Sequence, residues 1–380
     1  MTVKRISALM ALVLVALLAV SIPGVNAQQE PIRIGVYEPM TGTMAAGGQM
    51  TWEGIVLAHE MTPTVLGRPI KLFLADNKSD KVESANAVAK LIEQDKVIAI
   101  IGSYGSSNSM AGGDVGEKAG IPMMTDSATN PLVTQGKKFM FRACFIDPFQ
   151  GEVLAKFAYA QGIRKAAILK DIAQDYSVGL ANYFKKTFVA LTGDPKAIVA
   201  EVAYQSGDQD YSAQLTQVIN SKAEALFVPG YFGEMALVAK QLRQLGSKIL
   251  LMGGDAIDAP ELVSIGGSAA EGIVFSTFYS ADAPSSPEAK KFVDAFKAKY
   301  GKTPNANGAL GYDTYNLVVD AIRRANSDNP KKIRDAMATT KDYPAVTGIT
   351  TIGESGDATK DAVLLKVVNG KFTYLTTVKP

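Results

Sequence analysis

Three segments of the chain place hydroxyl or carboxylate side chains directly after a predicted strand. They are Gly105-Ser106-Ser107-Asn108, the run from Met123 to Asn130 with Ser127 and Thr129, and Gly253-Gly254-Asp255. Hydroxyls and free N–H groups beside the positive end of a helix dipole bind a carboxylate as readily as a phosphate. A carboxylate such as Asp255 suits an ammonium group. Together the segments favour a zwitterionic ligand with both charges paired. The alternative at the first segment is that Ser106 or Ser107 only caps a helix.

Catalytic and metal-binding sets of side chains are largely missing. His59 is the single histidine and lies in an apolar helix pattern, and Cys144 is the single cysteine and lies in an apolar stretch. One residue of each type cannot build the usual zinc site and leaves few nucleophile–base pairs. We expect His59 to pack or to satisfy a hydrogen bond, and Cys144 to be a buried, inert thiol. The sequence therefore predicts a binding protein without metal or cofactor, and not an enzyme.

The elements that must position these side chains alternate regularly between strands and helices. The predicted strands include Ile32–Tyr37, Ile70–Ala75, Val97–Ile101, Ala166–Leu169, Ile198–Tyr204, Ala225–Val228 and Ile249–Met252, with helical patterns between most of them. Such alternation predicts an α/β fold with parallel sheets. The rhythm breaks near residues 141–150 and 280–287, which indicates two doubly wound lobes joined by several chain crossings that form a hinge. Ligands bind at the carboxyl ends of parallel strands, so the three segments should converge there.

The first 27 residues predict export from the cytoplasm. Lys4 and Arg5 precede thirteen apolar residues, Ala8 to Val20, and Val25-Asn26-Ala27 has the small–x–small pattern of a signal peptidase site. Thirteen residues are too few for a spanning helix, which needs about 20. Cleavage near Ala27 removes two of the 39 Lys+Arg and leaves 37 against 37 Asp+Glu, a net charge of zero. Neutrality disfavours a nucleic-acid partner, and the cleavage point lacks a cysteine for lipid attachment.

Several ordered motifs resemble one known family over essentially the whole mature chain. They are Ile34-Gly35-Val36 with Met40-Thr41-Gly42, Ile100 to Ser107, Gly120-Ile121-Pro122 with Ser127-Ala128-Thr129, Asp210 to Leu215, Gly230 to Glu234, Lys240 to Gly246, and Gly311 to Tyr315. The family is that of the type I periplasmic substrate-binding proteins of branched-chain amino-acid ABC transporters, which includes Leu/Ile/Val-binding protein. The resemblance implies a venus-flytrap mechanism, in which two lobes close on a small ligand and the closed form docks on a permease.

The resemblance also implies roles for individual residues. Ser106 would hold the ligand carboxylate, Thr129 both carboxylate and ammonium, and the backbone at Ser127 the ammonium. From the second lobe, Tyr176, Tyr231 and Asp255 would complete the site, with Asp255 facing the ammonium. Phe232 and, more loosely, Tyr104 match positions near the side-chain pocket. The family often has Glu where Asp255 stands, and some members have a cysteine where Gly105 stands, so the reach to an amine and the identity of the ligand stay open.

The expected function is capture of an amino acid, apolar or branched-chain, in the periplasm and delivery to an ABC permease. The expected lobes are residues 28–146 with 281–347, and residues 147–280 with 348–380, and we expect a monomer. Alternatives are the same fold binding an amide, a urea or an aromatic carboxylate, or a ligand-sensing domain that docks on a receptor. Sugars and nucleosides fit the combination of hydroxyls and an acid less well.

Overall fold

The computed structural model describes residues 30–284 and 286–380. The predicted signal peptide, residues 1–27, lies outside the described residues. The helices are α1 (Ala45–Met61), α2 (Lys81–Glu93), α3 (Ser106–Ala119), α4 (Asp147–Ala160), α5 (Asp175–Thr192), α6 (Ser212–Asn220), α7 (Phe232–Gln244), α8 (Pro260–Gly266), α9 (Pro287–Tyr300), α10 (Ala306–Ala325) and α11 (Pro330–Met337). None of these helices combines the length and the apolarity needed to cross a membrane.

The strands form two large sheets and a small one. They are β1 (Ile32–Glu38), β2 (Thr64–Val65), β3 (Arg68–Asp76), β4 (Ala99–Ile101), β5 (Met123–Thr125), β6 (Met140–Arg142), β7 (Ala166–Asp171), β8 (Ile198–Tyr204), β9 (Ala225–Val228), β10 (Leu250–Gly253), β11 (Val274–Thr277), β12 (Tyr343–Ala345), β13 (Gly348–Ile352), β14 (Ala358–Thr359), β15 (Ala362–Val368) and β16 (Lys371–Val378). The α/β fold class predicted from the sequence is confirmed.

The first sheet has the order β2-β3-β1-β4-β5-β6. All of its neighbouring pairs are parallel except β2 with β3. The apolar strand β4 is buried on both faces, as expected for a central parallel strand covered by helices. Strand order reverses at β1, which lies between β3 and β4. The carboxyl ends of β1 and β4 therefore flank a topological switch point, where open α/β sheets bind ligands.

The second sheet has the order β16-β15-β11-β10-β9-β7-β8. Its strands from β7 to β11 are parallel, and β15 and β16 add an antiparallel edge. Strand order reverses at β7, between β8 and β9, so this sheet has its own switch point. The remaining strands β12, β13 and β14 form a small antiparallel sheet.

Helices α1 and α10 pack closely although they are far apart in the chain. A Cβ on Gly54 would fall 1.9 Å from the Gly308 carbonyl oxygen, and one on Gly311 would fall 2.2 Å from the Thr51 carbonyl oxygen. Both distances are far below a van der Waals contact, so only glycine permits this approach. Asn305 caps the start of α10 by accepting a hydrogen bond from the Gly308 N–H at 3.1 Å.

The region that breaks the predicted rhythm is itself ordered. Residues 140–142 form strand β6, and α4 begins at Asp147, followed directly by Pro148. Proline is favoured in the first turn of a helix because its missing N–H has no intrahelical partner there. The interruption near residues 141–150 is therefore the passage from the first sheet to the helix that precedes β7.

The single histidine and the single cysteine occupy the inert positions predicted for them. The Nε2 atom of His59 lies 3.1 Å from the Ile70 carbonyl oxygen, and its ring meets Tyr315 edge-on with centroids 5.8 Å apart. Cys144 is fully buried, and burial raises the pKa of its thiol. A thiol that is both buried and protonated is a poor nucleophile.

Candidate ligand-binding site

The first sheet presents hydroxyl side chains at the carboxyl ends of β4 and β5. Tyr104 and Ser106 follow β4, with Ser106 as the first residue of α3, and Ser127 and Thr129 follow β5. Ser106 Oγ does not cap its own helix and instead accepts a hydrogen bond from the Asn130 N–H at 3.1 Å. Its hydroxyl proton remains able to bond a ligand oxygen, so the N-cap alternative does not account for this serine.

The second sheet presents aromatic and acidic side chains at equivalent positions. Tyr176 lies in the first turn of α5 after β7, Tyr231 follows β9, and Asp255 follows β10. All three are at least nine-tenths buried. The chain thus places hydroxyls at one set of strand ends, and phenols with a carboxylate at the other.

A row of tyrosines connects the two sets of strand ends. The ring centroid of Tyr231 lies 5.8 Å from that of Tyr104 and 5.8 Å from that of Tyr176. The Tyr104 hydroxyl donates to the Ala256 carbonyl oxygen at 3.1 Å. The residues predicted from the two lobes therefore meet in one buried group.

Gly105 is required at the start of α3. Its φ of +94° favours glycine, and a Cβ there would lie 3.1 Å from Met44 Sδ and 3.3 Å from the Tyr231 hydroxyl. A cysteine at this position would crowd the tyrosine row, which gives a physical reason for its absence from this sequence.

Asp255 is held by two donors from neighbouring helices. Its Oδ1 accepts hydrogen bonds from Gln150 Nε2 at 2.5 Å and from the Tyr176 hydroxyl at 3.0 Å. Burial raises the pKa of Asp255 to about 6, and these two hydrogen bonds act in the opposite direction. At neutral pH Asp255 is therefore mainly ionised. As the partner of an ammonium group it would be fully ionised.

Asp147 and Gln150, both on the first turns of α4, were missed by the sequence analysis. The Asp147 N–H donates to the Thr129 carbonyl oxygen at 2.9 Å, so this acid lies beside a predicted ligand residue. Burial, together with the negative charge of Asp255, raises the pKa of Asp147 to about 8. The pair Asp147-Pro148 after an apolar stretch indicates the start of a helix, and this was the only local signal for these two residues. Nothing in the sequence places that helix start near Thr129.

Several buried polar atoms of this group have no hydrogen-bond partner among the described residues. They are Thr129 Oγ1, Tyr231 Oη, Gln150 Oε1 and both carboxylate oxygens of Asp147. Buried polar groups are nearly always paired, and an orphaned group costs about 1–3 kcal/mol. Acceptors and hydroxyls of this kind can pair with an ammonium group and a carboxylate. The arrangement suits a small zwitterion.

Phe232 lies apart from the other predicted site residues. It is the first residue of α7 and packs in the apolar core of the second sheet, whereas the three tyrosines Tyr104, Tyr176 and Tyr231 pack in the core cluster shared with the first sheet. Its part in a side-chain pocket stays a prediction.

Polar contacts outside the tyrosine row also join the two sets of strand ends. Asp175, the first residue of α5, accepts a hydrogen bond from Ser107 Oγ at 2.8 Å and lies 3.2 Å from Lys81 Nζ. The Asn130 side chain donates to the Asp175 carbonyl oxygen at 2.8 Å. We call these residues the Asp175 clamp. Because the clamp contains no ligand atom, it joins the two sets of strand ends by itself.

A cavity of about 470 Å³ lies elsewhere, between α8, the start of α10 and the β15–β16 hairpin. Its lining includes Asp258, Val263, Tyr279, Asn305 and Phe372. None of the predicted ligand residues lines it. The side chain of Asp258 is also already engaged, since it accepts a hydrogen bond from Thr277 Oγ1 at 2.6 Å.

The two parallel sheets and their facing strand ends are those of a solute-binding protein. The family model described as periplasmic binding protein matches residues 31–371. The chain belongs to this family.

Individual relatives agree with that assignment. The Leu/Ile/Val-binding protein BraC3 of Rhizobium johnstonii is 30% identical over 339 residues, covering 88% of this chain and 90% of the relative. A leucine-binding protein of Thermotoga maritima has a crystal structure with 46% identity and a TM-score of 0.89, covering 92% of this chain and 99% of that one. A branched-chain amino acid transporter substrate-binding protein of Streptococcus pneumoniae, in complex with isoleucine, has 32% identity and a TM-score of 0.86, covering 92% and 100%.

Proposed function

We propose that this protein captures a branched-chain amino acid between two closing lobes outside the cytoplasm and delivers it to the permease of an ABC transporter. Family membership and the names of the relatives support the class of ligand. The observation that carries the proposal is the group of unpartnered buried polar atoms where the two sets of strand ends meet.

The ligand carboxylate would bind Ser106 and Thr129 at the start of α3, where the helix dipole favours negative charge. The ammonium would lie near Asp255 and Asp147, with the Tyr231 hydroxyl completing its partners. The ligand would then supply hydrogen-bond partners to Thr129 Oγ1, Tyr231 Oη and the Asp147 carboxyl, which have none among the described residues. Pairing both charges offsets the desolvation cost of burying a zwitterion.

The lobes would follow the predicted division, residues 28–146 with 281–347 and residues 147–280 with 348–380. The hairpin of β12 and β13 spans the last of these boundaries. Closure would depend on the ligand because Ser106 and Asp255 belong to different sheets. A ligand shifts a conformational equilibrium only through its different affinities for the two states, and here only the closed state would pair both ligand charges.

The same proposal includes an export signal in residues 1–27, release of the mature chain into the periplasm, and binding without chemical turnover. Incubation of the bound ligand with the protein, followed by mass spectrometry of the recovered ligand, tests the last point. Recovery of a converted product would favour an enzyme instead.

The ligand is tested by thermal unfolding of the mature protein, refolded first to remove any bound molecule. Three matched compounds separate the two charges: L-leucine, 4-methylpentanoate without the amine, and 3-methylbutylamine without the carboxylate. A ligand at 100 times its dissociation constant stabilises the folded state by about 2.7 kcal/mol, which raises Tm by several degrees.

We expect L-leucine to raise Tm and both analogues to leave it unchanged at equal concentration. If only 4-methylpentanoate or benzoate raised Tm, the ligand would be a carboxylate without an amine. That is the alternative left open by the sequence. No shift with amino acids, amides or aromatic acids would favour a different ligand class.

A further inference from the structure

Two buried acids lie beneath the loops that carry the first sheet's ligand residues. Glu38 is the last residue of β1 and Asp126 follows β5, and both are 0% exposed. Glu38 Oε2 accepts a hydrogen bond from the Tyr104 N–H at 2.8 Å. Asp126 Oδ1 accepts one from Ser127 Oγ at 2.6 Å. Each acid thus holds one residue of the candidate site from below.

The second carboxyl oxygen of each acid lacks a hydrogen-bond donor among the residues described. Glu38 Oε1 and Asp126 Oδ2 are buried and meet no N–H or O–H donor within residues 30–284 and 286–380. The two carboxyl groups face each other, because each acts on the pKa of the other. Two ionised carboxylates have no hydrogen to donate. One proton held between them would give both unpartnered oxygens a partner.

The surroundings of the two acids assign the proton to Glu38. Burial raises the pKa of Glu38 well above its ordinary value, and the negative charge of Asp126 raises it further. Burial also raises the pKa of Asp126, but hydrogen bonds from Glu38 and Ser127 oppose that shift. The other titratable group facing the pair is the phenol of Tyr37, and burial raises its pKa. This phenol therefore stays neutral.

We propose that Glu38 and Asp126 share one proton and act as positioning residues, setting the spacing between the Tyr104 loop and the Ser127 loop. Loss of the proton would put two negative charges in contact inside a buried site. The loops would then separate, and the ligand would lose its aligned partners on the first sheet. The inference rests on the proposed function only in assigning ligand contact to these loops.

The first test needs no ligand: Tm of the ligand-free mature protein is measured from pH 4.5 to 9. Between the ordinary glutamate pKa of about 4.5 and the raised value, the folded protein keeps a proton that the unfolded chain has released. Stability conferred by this site therefore falls as pH rises. Glu38→Gln removes the titration and keeps a donor to Asp126 and an acceptor for the Tyr104 N–H.

We expect Tm of Glu38→Gln, relative to the wild type, to rise steadily with pH across this window. Glu288→Gln, which removes an exposed carboxyl from the first turn of α9, should keep a constant difference. Parallel curves for Glu38→Gln and the wild type would overturn the shared proton. If Glu38→Gln does not fold, Asp126→Asn replaces it, since it also puts an amide donor into the pair, and it should weaken the same pH dependence.

The second test measures positioning through binding of L-leucine at pH 7. Glu38→Ala leaves the Tyr104 N–H and Asp126 Oδ2 without partners, and we expect about tenfold weaker binding. Glu38→Gln should bind within about threefold of the wild type, because it restores both hydrogen bonds. Equal affinity for all three proteins would overturn the positioning role. If wild-type protein binds no amino acid, the proposed function fails, while the ligand-free test still decides whether the proton is shared.

Discussion

Two buried polar regions of this protein differ in how their charges are compensated. In the region below β6, Arg142 is fully buried, its guanidinium donates to the Ala128 and Asn130 carbonyl oxygens, and its Nε lies 2.7 Å from Asp357 Oδ1. At the candidate site, neither Asp147 nor Asp255 forms an ion pair with a lysine or arginine in the described part of the chain.

Arg142 supports the structure, whereas the acids of the candidate site are suited to bind a ligand. Arg142 is paired with Asp357, and its two terminal nitrogens donate to the carbonyl oxygens on either side of Thr129, while its Nε–H makes no hydrogen bond to a described residue. A buried cation paired with an anion stabilises one conformation, whereas buried acids without a cation favour a positively charged group from outside. The backbone beside Thr129 thus contacts a paired cation, whereas the two acids of the candidate site have no paired cation in the described part of the chain.

The largest effect is expected from breaking the compensated region with Arg142→Met. The change leaves two buried carbonyl oxygens without their donor, at about 1–3 kcal/mol each, and removes the cation paired with Asp357. Urea unfolding of the ligand-free protein measures it. Arg323→Met, at an exposed arginine that lies 3.7 Å from Asp320, is the matched control and should cost less than about 1 kcal/mol. If both variants lost a similar free energy of unfolding, Arg142 would be no more important for stability than an exposed arginine.

The next effect concerns the uncompensated region, through Asp255→Asn. We expect affinity for L-leucine to fall about a hundredfold, because a charged hydrogen-bond partner of the ammonium is lost from a buried site. Stability without ligand should stay the same or increase, since the change removes a buried carboxylate whose folded-state pKa is raised. Calorimetric titration and urea unfolding measure the two quantities. Unchanged affinity would remove Asp255 as ammonium partner.

A smaller and more specific effect is proton release on binding. Because its pKa is raised to about 8, Asp147 is mostly protonated at pH 7 in the ligand-free protein. A nearby ammonium lowers that pKa, so binding should release up to about one proton and strengthen as pH rises from 6 to 8. Calorimetry in buffers with different ionisation enthalpies counts the proton. Asp147→Asn should abolish proton release. If this variant released as many protons as the wild type, the proton would come from another group.

The smallest effect is expected at the Asp175 clamp. Asp175→Ala removes the carboxylate contacts with Lys81 and Ser107, which are partly exposed and therefore worth about 1 kcal/mol or less. L-leucine should bind up to about fivefold more weakly, mainly through faster dissociation, because the open state becomes relatively more populated. Stopped-flow kinetics checks this. Slower association with unchanged dissociation would mean that the clamp acts before closure.

The sequence predicted the fold, and it placed the candidate ligand residues after strands, because those features depend on local patterns. Alternating strands and helices defined the parallel sheets, and Ser106, Thr129 and Asp255 each follow a strand, where ligand residues are expected. Asp147, Gln150 and the Glu38–Asp126 pair were not predicted. They become functional only through contacts between segments about 18 to 105 residues apart along the chain, and no local pattern encodes such contacts.

The packing of α1 against α10 bears on the order in which the molecule can fold. Backbone atoms of Gly54 and Gly308 come together only after about 250 intervening residues have been made. Closing so long a loop is slow compared with forming local contacts. The first sheet therefore cannot complete its helical layer while the chain is still emerging from the ribosome. We therefore expect a chain that ends before α10 to lack the native packing of α1, and the complete fold to form only once α10 is available.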